Sequence, residues 1–176
     1  MAADDYYIWS RLAQVQLRQG QRQAAAESLA RTMSLRVPAN EYLALAKQLA
    51  ALHEQLEQRT EAIAVYRAAA DRFAKDDKVL RELAAQLRQL KDMDDAARIW
   101  QTLSKSARDP QIRFEAARQL ALLSVDAGQP EEAIRQLTDL SRRTQSNSWQ
   151  AADLRTRINS LLLQQGGPSR VVEFWQ

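Results

Sequence analysis

The sequence predicts an all-α fold, built as a solenoid of antiparallel helix pairs. Three observations carry this. Helix formers dominate: Ala, Leu, Gln and Arg are abundant, while the 176 residues include only 4 Gly and 4 Pro. Apolar residues recur at steps of three and four. This is plainest from Thr60 to Phe73, where Ala62, Ile63, Tyr66, Ala69, Ala70 and Phe73 fall on one helical face. The stretch also repeats: Ala25, Ala62, Ala96 and Ala133 open similar segments at steps of 37, 34 and 37 residues. Self-similarity at that period, with two helices per copy, marks a helical repeat array.

The elements follow in order. The first helix is expected over Asp5–Gln19, with Trp9, Leu12, Ala13, Gln16 and Leu17 inward, Asp4 and Asp5 at its positive end and Gly20 as a left-handed cap. Gln23–Leu35 is its partner, carrying Ala25, Leu29 and Met33, and Pro38 and Asn40 break the chain. The third helix is Glu41–Glu57, with Leu45, Ala46, Leu49, Ala50, His53 and Leu56 inward. The fourth starts after Thr60 as N-cap. Asp76 and Asp77 mark a boundary before Val79–Leu90, which turns Leu80, Leu83, Ala84 and Leu87 inward. After the turn Lys91–Asp94, Asp95–Ser104 carries Ala96, Ile99, Trp100 and Leu103.

Asp109-Pro110 opens a helix reaching Ala127, with Phe114, Ala117, Leu120, Ala121 and Ser124 inward and Gly128 as its cap. Pro130 opens Glu131–Arg142, with Ala133, Ile134, Leu137 and Leu140. Ser148 closes a polar loop and caps Trp149–Gln165. Gly166-Gly167-Pro168 breaks the chain, and Val171, Val172, Phe174 and Trp175 begin a tenth helix. Repeat arrays need polar outer faces at their ends. An apolar ending therefore suggests a segment cut from a longer array; the plain alternative is that Phe174 and Trp175 tuck back onto helix nine.

The net charge is +3, from 25 basic and 22 acidic side chains that are interspersed along the chain. That pattern is a solvated surface and argues against nucleic acid as a partner. The 20 Arg against 5 Lys, with 20 Gln, match the bias of GC-rich bacterial genomes. No cysteine is present, so disulfide and thiolate chemistry are excluded. No apolar run is long enough for a membrane-spanning helix. The start, Met1-Ala2-Ala3-Asp4-Asp5, lacks the apolar stretch of a signal peptide.

Nothing in the sequence assembles a catalytic or metal site, and no cofactor is expected. The single histidine, His53, reads as a core residue with one hydrogen bond, since zinc binding would need further ligands. Asp92, Asp94 and Asp95 cluster without the glycine and ligand series of a calcium loop, and helix capping accounts for them better. Phosphate-binding glycine loops and nucleophile motifs are absent.

The repeat resembles the tetratricopeptide repeat family. Trp9-Ser10-Arg11-Leu12-Ala13 is similar to that family's first-helix opening, and Leu49-Ala50, Leu83-Ala84 and Leu120-Ala121 repeat its large-small pair. Gly20, Gly128 and Gly166 stand at the turn. The second helices show Ala25/Leu29, Ala62/Tyr66, Ala96/Trp100, Ala133/Leu137 and, weakly, Val171/Trp175. The resemblance covers nearly the whole chain and implies a right-handed superhelical solenoid. Four full repeats and a truncated fifth are expected near 6–40, 41–76, 77–109, 110–147 and 148–176. Glu57 and Lys91 depart from the turn glycine, and the two wider steps predict longer loops near 36–40 and 143–148.

In that family the first helices line a concave groove. Carried over, the groove positions are Tyr7, Ser10, Arg11, Gln14 and Arg18; Lys47, Gln48, Ala51 and Glu54; Lys78, Arg81, Ala85 and Arg88; Arg118, Gln119, Leu122 and Val125; and Asp153, Thr156, Arg157 and Ser160. One equivalent slot reads Ser10, Lys47, Arg81, Arg118, Thr156, a basic centre suited to carboxylates on an acidic partner segment. The competing reading is that Arg is common here and its stems cover apolar helix surface. Family members that clamp a C-terminal carboxylate pair a Lys with an Asn one turn later. Here Gln14, Ala51, Ala85 and Leu122 follow the slot, so that clamp is not expected.

The resulting expectation is a bacterial interaction scaffold that catalyses nothing. Its Ala/Leu/Arg/Gln character is similar to the periplasmic repeat segments of exopolysaccharide export proteins, which implies recruitment of a partner protein in the periplasm. Two rivals are a cytoplasmic assembly or regulatory module, and binding of an anionic polymer along the basic groove with steep salt dependence. Trp149, Phe174 and Trp175 suit self-association or a following repeat equally well.

Overall fold

A computed structural model describes residues 5–176, so the expectation for Asp4 lies outside the described residues. The helices are α1 (Tyr6–Arg18), α2 (Arg22–Ser34), α3 (Ala39–Gln55), α4 (Arg59–Arg72), α5 (Asp77–Gln89), α6 (Met93–Ser106), α7 (Pro110–Asp126), α8 (Pro130–Arg142) and α9 (Trp149–Trp175). No strand occurs among the described residues. The chain divides into two compact units, the first ending at Asp95 and the second running from Ala96 to Gln176.

In the first unit α1 packs on α2 and α3 on α4, while α2 meets α3 and α4 meets α5. In the second, α7 packs on α8 and α8 on α9. Each unit thus stacks helix pairs in chain order. The alanines that open the second helices, Ala25, Ala62, Ala96 and Ala133, are all 0% exposed. A missing side chain at a crossing lets backbones approach, and the large residue one turn on fills the groove beside it. Leu29, Tyr66, Trp100 and Leu137 take that role and are all buried.

The turns inside the pairs share one design. Gly20 and Gly128 have φ +74°, and Glu57 and Lys91 adopt the same left-handed conformation at +59° and +60°. After each, the next N–H donates five residues back: Gln21 to Gln16 (2.9 Å), Gln58 to His53 (2.8 Å), Asp92 to Leu87 (2.9 Å) and Gln129 to Ser124 (2.8 Å). That is the Schellman closure of a helix end. Glu57 and Lys91 therefore replace glycine in sequence but not in geometry.

Several local expectations are corrected. The cap of α4 is Gln58 rather than Thr60, because the Schellman turn leads straight into the helix. Asn40 lies inside α3, and α5 begins at Asp77, with the Asp76 carboxylate accepting from the N–H groups of Lys78 and Val79. The start of α6 is Met93, two residues early. The connection Leu35–Pro38 is no longer than Phe73–Asp76; only residues 143–148 form an extended loop. At the last break the left-handed residue is Gly167 (φ +68°), not Gly166 (φ −158°). α9 is thus two helical segments, 149–165 and 168–175.

Burial follows the expected faces in full in α5 and α6; in α3 His53 and Leu56 are half-buried while Tyr42 and Leu52 are buried instead, and Ile63, Phe73 and Leu140 of the α4 and α8 faces are half-buried. In α7 the buried residues are Ile112, Ala116, Ala121 and Leu123, whereas Phe114, Ala117, Leu120 and Ser124 are half-buried. Ala13 is the one buried residue of α1, and Leu12, expected inward, is 40% exposed. Trp175 Nε1 donates to Asn159 Oδ1 at 2.7 Å, while Phe174 and Trp175 stay 37% and 46% exposed.

Candidate functional site

The groove positions carried over from the repeat resemblance lie on α1, α3, α5, α7 and α9, and all are exposed or half-buried. In the first unit Tyr7 is 58% exposed and its ring lies 4.3 Å from that of Tyr6. Tyr6 in turn donates to Glu41 Oε1 at 3.2 Å. The Tyr6 hydroxyl is pushed well above the ordinary tyrosine range, first by hydrogen bonding with Tyr7, then by burial and by Glu41. Arg11 donates to Gln14 at 3.3 Å, and Arg11, Gln14 and Arg18 are open to solvent.

At two positions of the basic slot, Lys47 and Arg118, the cation is paired with a carboxylate. Lys47 is ion-paired with Glu82 of α5, both about half exposed. Arg81 and Arg88 are half-buried and engaged with neighbours. In the second unit Arg118 Nη1 lies 3.2 Å from Asp153 Oδ2, and Arg157 Nε lies 3.0 Å from the same oxygen. Burial raises the Asp153 carboxyl, but hydrogen bonds from Arg157 and Arg118 and their charges outweigh it and hold it below the usual carboxylate range.

The two pairs differ in how readily a ligand opens them. Lys47 and Glu82 have 44% and 49% exposed side chains, and pairs this open contribute at most about 1 kcal/mol. Arg118 and Asp153 are 21% and 28% exposed and are tied into a three-residue cluster with Arg157. Leu122 is half-buried on α7 beside this slot in sequence. Sequence reasoning named every cation but missed Glu82 and Asp153 as their partners.

The remaining candidates are structural. His53 is half-buried, its Nδ1 2.7 Å from Gln58 Oε1 across the α3–α4 turn. Asp92, 9% exposed, receives Arg67 Nε at 3.1 Å, and Asp95 pairs with the same guanidinium. These carboxylates therefore fix α4 to the start of α6 by charge. No group of three or more His, Cys, Asp or Glu placed to hold a metal occurs among the described residues. No helix among them is long and apolar enough to cross a membrane.

Paired antiparallel helices with small residues at the crossings define a helical repeat protein. Its fold is that of the tetratricopeptide repeat. No family model matches the sequence, and no curated protein matches it. Solved structures do. A tetratricopeptide repeat protein from Parabacteroides merdae aligns with TM-score 0.56 at 19% identity, over 96% of this chain and 64% of that one. This chain therefore spans just under two thirds of that protein. The TPR-like repeats of a putative kinesin light chain from Podosopora anserina align with TM-score 0.56 at 18% identity, over 95% and 90% of the two chains. YrrB, described as a TPR protein with an unusual peptide-binding site, aligns with TM-score 0.52 at 14% identity, over 97% and 82%. At these identities the likeness establishes the fold.

Proposed function

We propose that the chain is a non-catalytic scaffold that binds another protein along the first-helix faces of its units, arranged as repeats near 6–40, 41–76, 77–109, 110–147 and 148–176. The observation that carries this is the solvent-open Lys47–Glu82 pair; Arg11, Gln14 and Arg18 are exposed on α1 of the same unit. A solvent-open pair of this kind exchanges its carboxylate for one on an incoming segment at little cost. The preferred partner is an extended, acidic segment. Arg11, Arg18 and Lys47 contact its carboxylates, and Tyr7 supplies apolar surface. The peptide-binding site described for YrrB supports this use of the fold.

The finer reading places the scaffold in the bacterial periplasm, recruiting a partner within exopolysaccharide export. It rests on compositional resemblance, and fractionation of source cells into periplasm and cytoplasm tests it.

Capture from a soluble source extract tests the function. The immobilised chain is compared with a K47E/R81E/R118E variant whose helix content is checked by circular dichroism. One protein retained by the native chain and lost by the variant supports the reading. Retention by both moves the site away from these faces. Retention of carbohydrate or RNA alone overturns it.

A further inference from the structure

Ile8, Leu12 and Val15 share one face of α1 and are exposed, at 48%, 40% and 49%. The same four-then-three spacing recurs in α3 as Leu45, Leu49 and Leu52, at 9%, 2% and 3%. It recurs again in α9 as Leu154, Ile158 and Leu161, at 0%, 0% and 8%. In α3 this helix meets α2; in α9 it meets α8, where the triple shares a core with Ile134 and Leu137. In α9 the triple is thus part of the surface by which the helix seats on α8. In α1 it is uncovered.

The other end carries the matching surface. Val172 and Trp175 follow Ile134 and Leu137 by 38 residues and hold the same slots of a second helix. Ile134 and Leu137 are 3% and 0% exposed, whereas Val172 and Trp175 are 57% and 46% exposed. Leu163, 38 residues after Val125, is 49% exposed, while Val125 packs against the core that α9 completes. The hydrogen bond to Asn159 ties Trp175 to the 149–165 segment, and Leu163 and Val172 are the apolar positions that stay open on the two segments.

We infer that a second copy of this chain covers both faces. The α1 triple of one copy docks on the 149–165 and 168–175 segments of the next, repeating between molecules the contact α9 makes with α8 within one. The complementarity is internal to the repeat: the chain already shows which slots receive the triple, and the same slots lie open at its end. The contact joins two different faces and is therefore heterologous, leaving one free face of each kind on every pair.

Sedimentation velocity over a concentration series tests this, using the full 176-residue chain with the variants L12D and V172D. The native chain is expected to grow in mass with concentration. Each variant alone is expected to stay monomeric. Mixed in equal amounts, they are expected to form a one-to-one complex and nothing larger, because each keeps the face the other lacks. A monomeric native chain at every concentration overturns the inference, as does a V172D chain that still self-associates, or a mixture that stays monomeric. Circular dichroism checks folding; should either variant misfold, I8D and L163D replace them. The protein-binding faces are not touched, so failure here is separable from failure of the scaffold reading.

Discussion

Arg118 on α7 reaches Asp153 on α9 across 3.2 Å, and the two stand 35 residues apart. Lys47 and Glu82 are also 35 apart. Glu82 follows the equivalent slot residue Arg81 by one position, and Asp153 precedes its own, Thr156, by three. Those two offsets are one helical turn apart, so both acids approach the basic residue of the preceding repeat from the same helix face. Charge on the first helices is thus arranged as a ladder between repeats.

The Asp153 cluster gives the second unit a pH dependence. Its carboxyl lies below its unfolded value, because the hydrogen bonds and charges of Arg157 and Arg118 outweigh burial. A depressed folded value contributes stability that is full above the unfolded pKa and is lost as pH falls through the folded one. The D153N variant is expected to be less stable than the native chain by about 1–3 kcal/mol at neutral pH. That gap should begin to narrow as pH falls below about 4 and should close only below the lower folded value. Urea denaturation followed by circular dichroism across that pH range measures it; a gap that is independent of pH contradicts the account.

The left-handed turn residues predict opposite signs for opposite substitutions. Lys91 pays for a φ of +60° that glycine adopts freely. Lys91→Gly is expected to stabilise by about 1 kcal/mol, and Gly128→Ala, at φ +74° with open space around its Cβ position, to destabilise by a similar amount. Paired thermal melts check both.

The alanine crossings predict intolerance of bulk. Ala133 is fully buried beside Ile134 and Leu137. Ala133→Leu is expected to cost about 1–3 kcal/mol by overpacking, measured as a lowered urea midpoint. The same change at Ala51, exposed on α3, should be close to neutral.

Much of the fold is legible in the sequence because one pattern, alanine followed a turn later by a large residue, recurs with each pair. Leu83 and Leu87 are buried where their periodicity places them. Thr60 misleads because side-chain capping is the stronger written signal, whereas a Schellman turn at Glu57 sets the start of α4. Leu12 reads as inward because Leu49 and Leu83 are; burial depends on a preceding helix that a single repeat's pattern does not report. The basic slot was legible residue by residue. Its neutralisation was not, since Glu82 and Asp153 sit at different offsets in their repeats.

The central claim is that an acidic partner binds by displacing Glu82 from Lys47. Its most direct test is the affinity of a labelled, extended Asp/Glu-rich peptide for the native chain and for E82Q, K47Q and E61Q, measured by fluorescence anisotropy at moderate salt. E61Q makes the same change in net charge on α4, away from the slot. The account predicts tighter binding by E82Q, weaker binding by K47Q and no more than a slight change for E61Q. Equal affinities for E82Q and E61Q, or unaltered binding by K47Q, would contradict it.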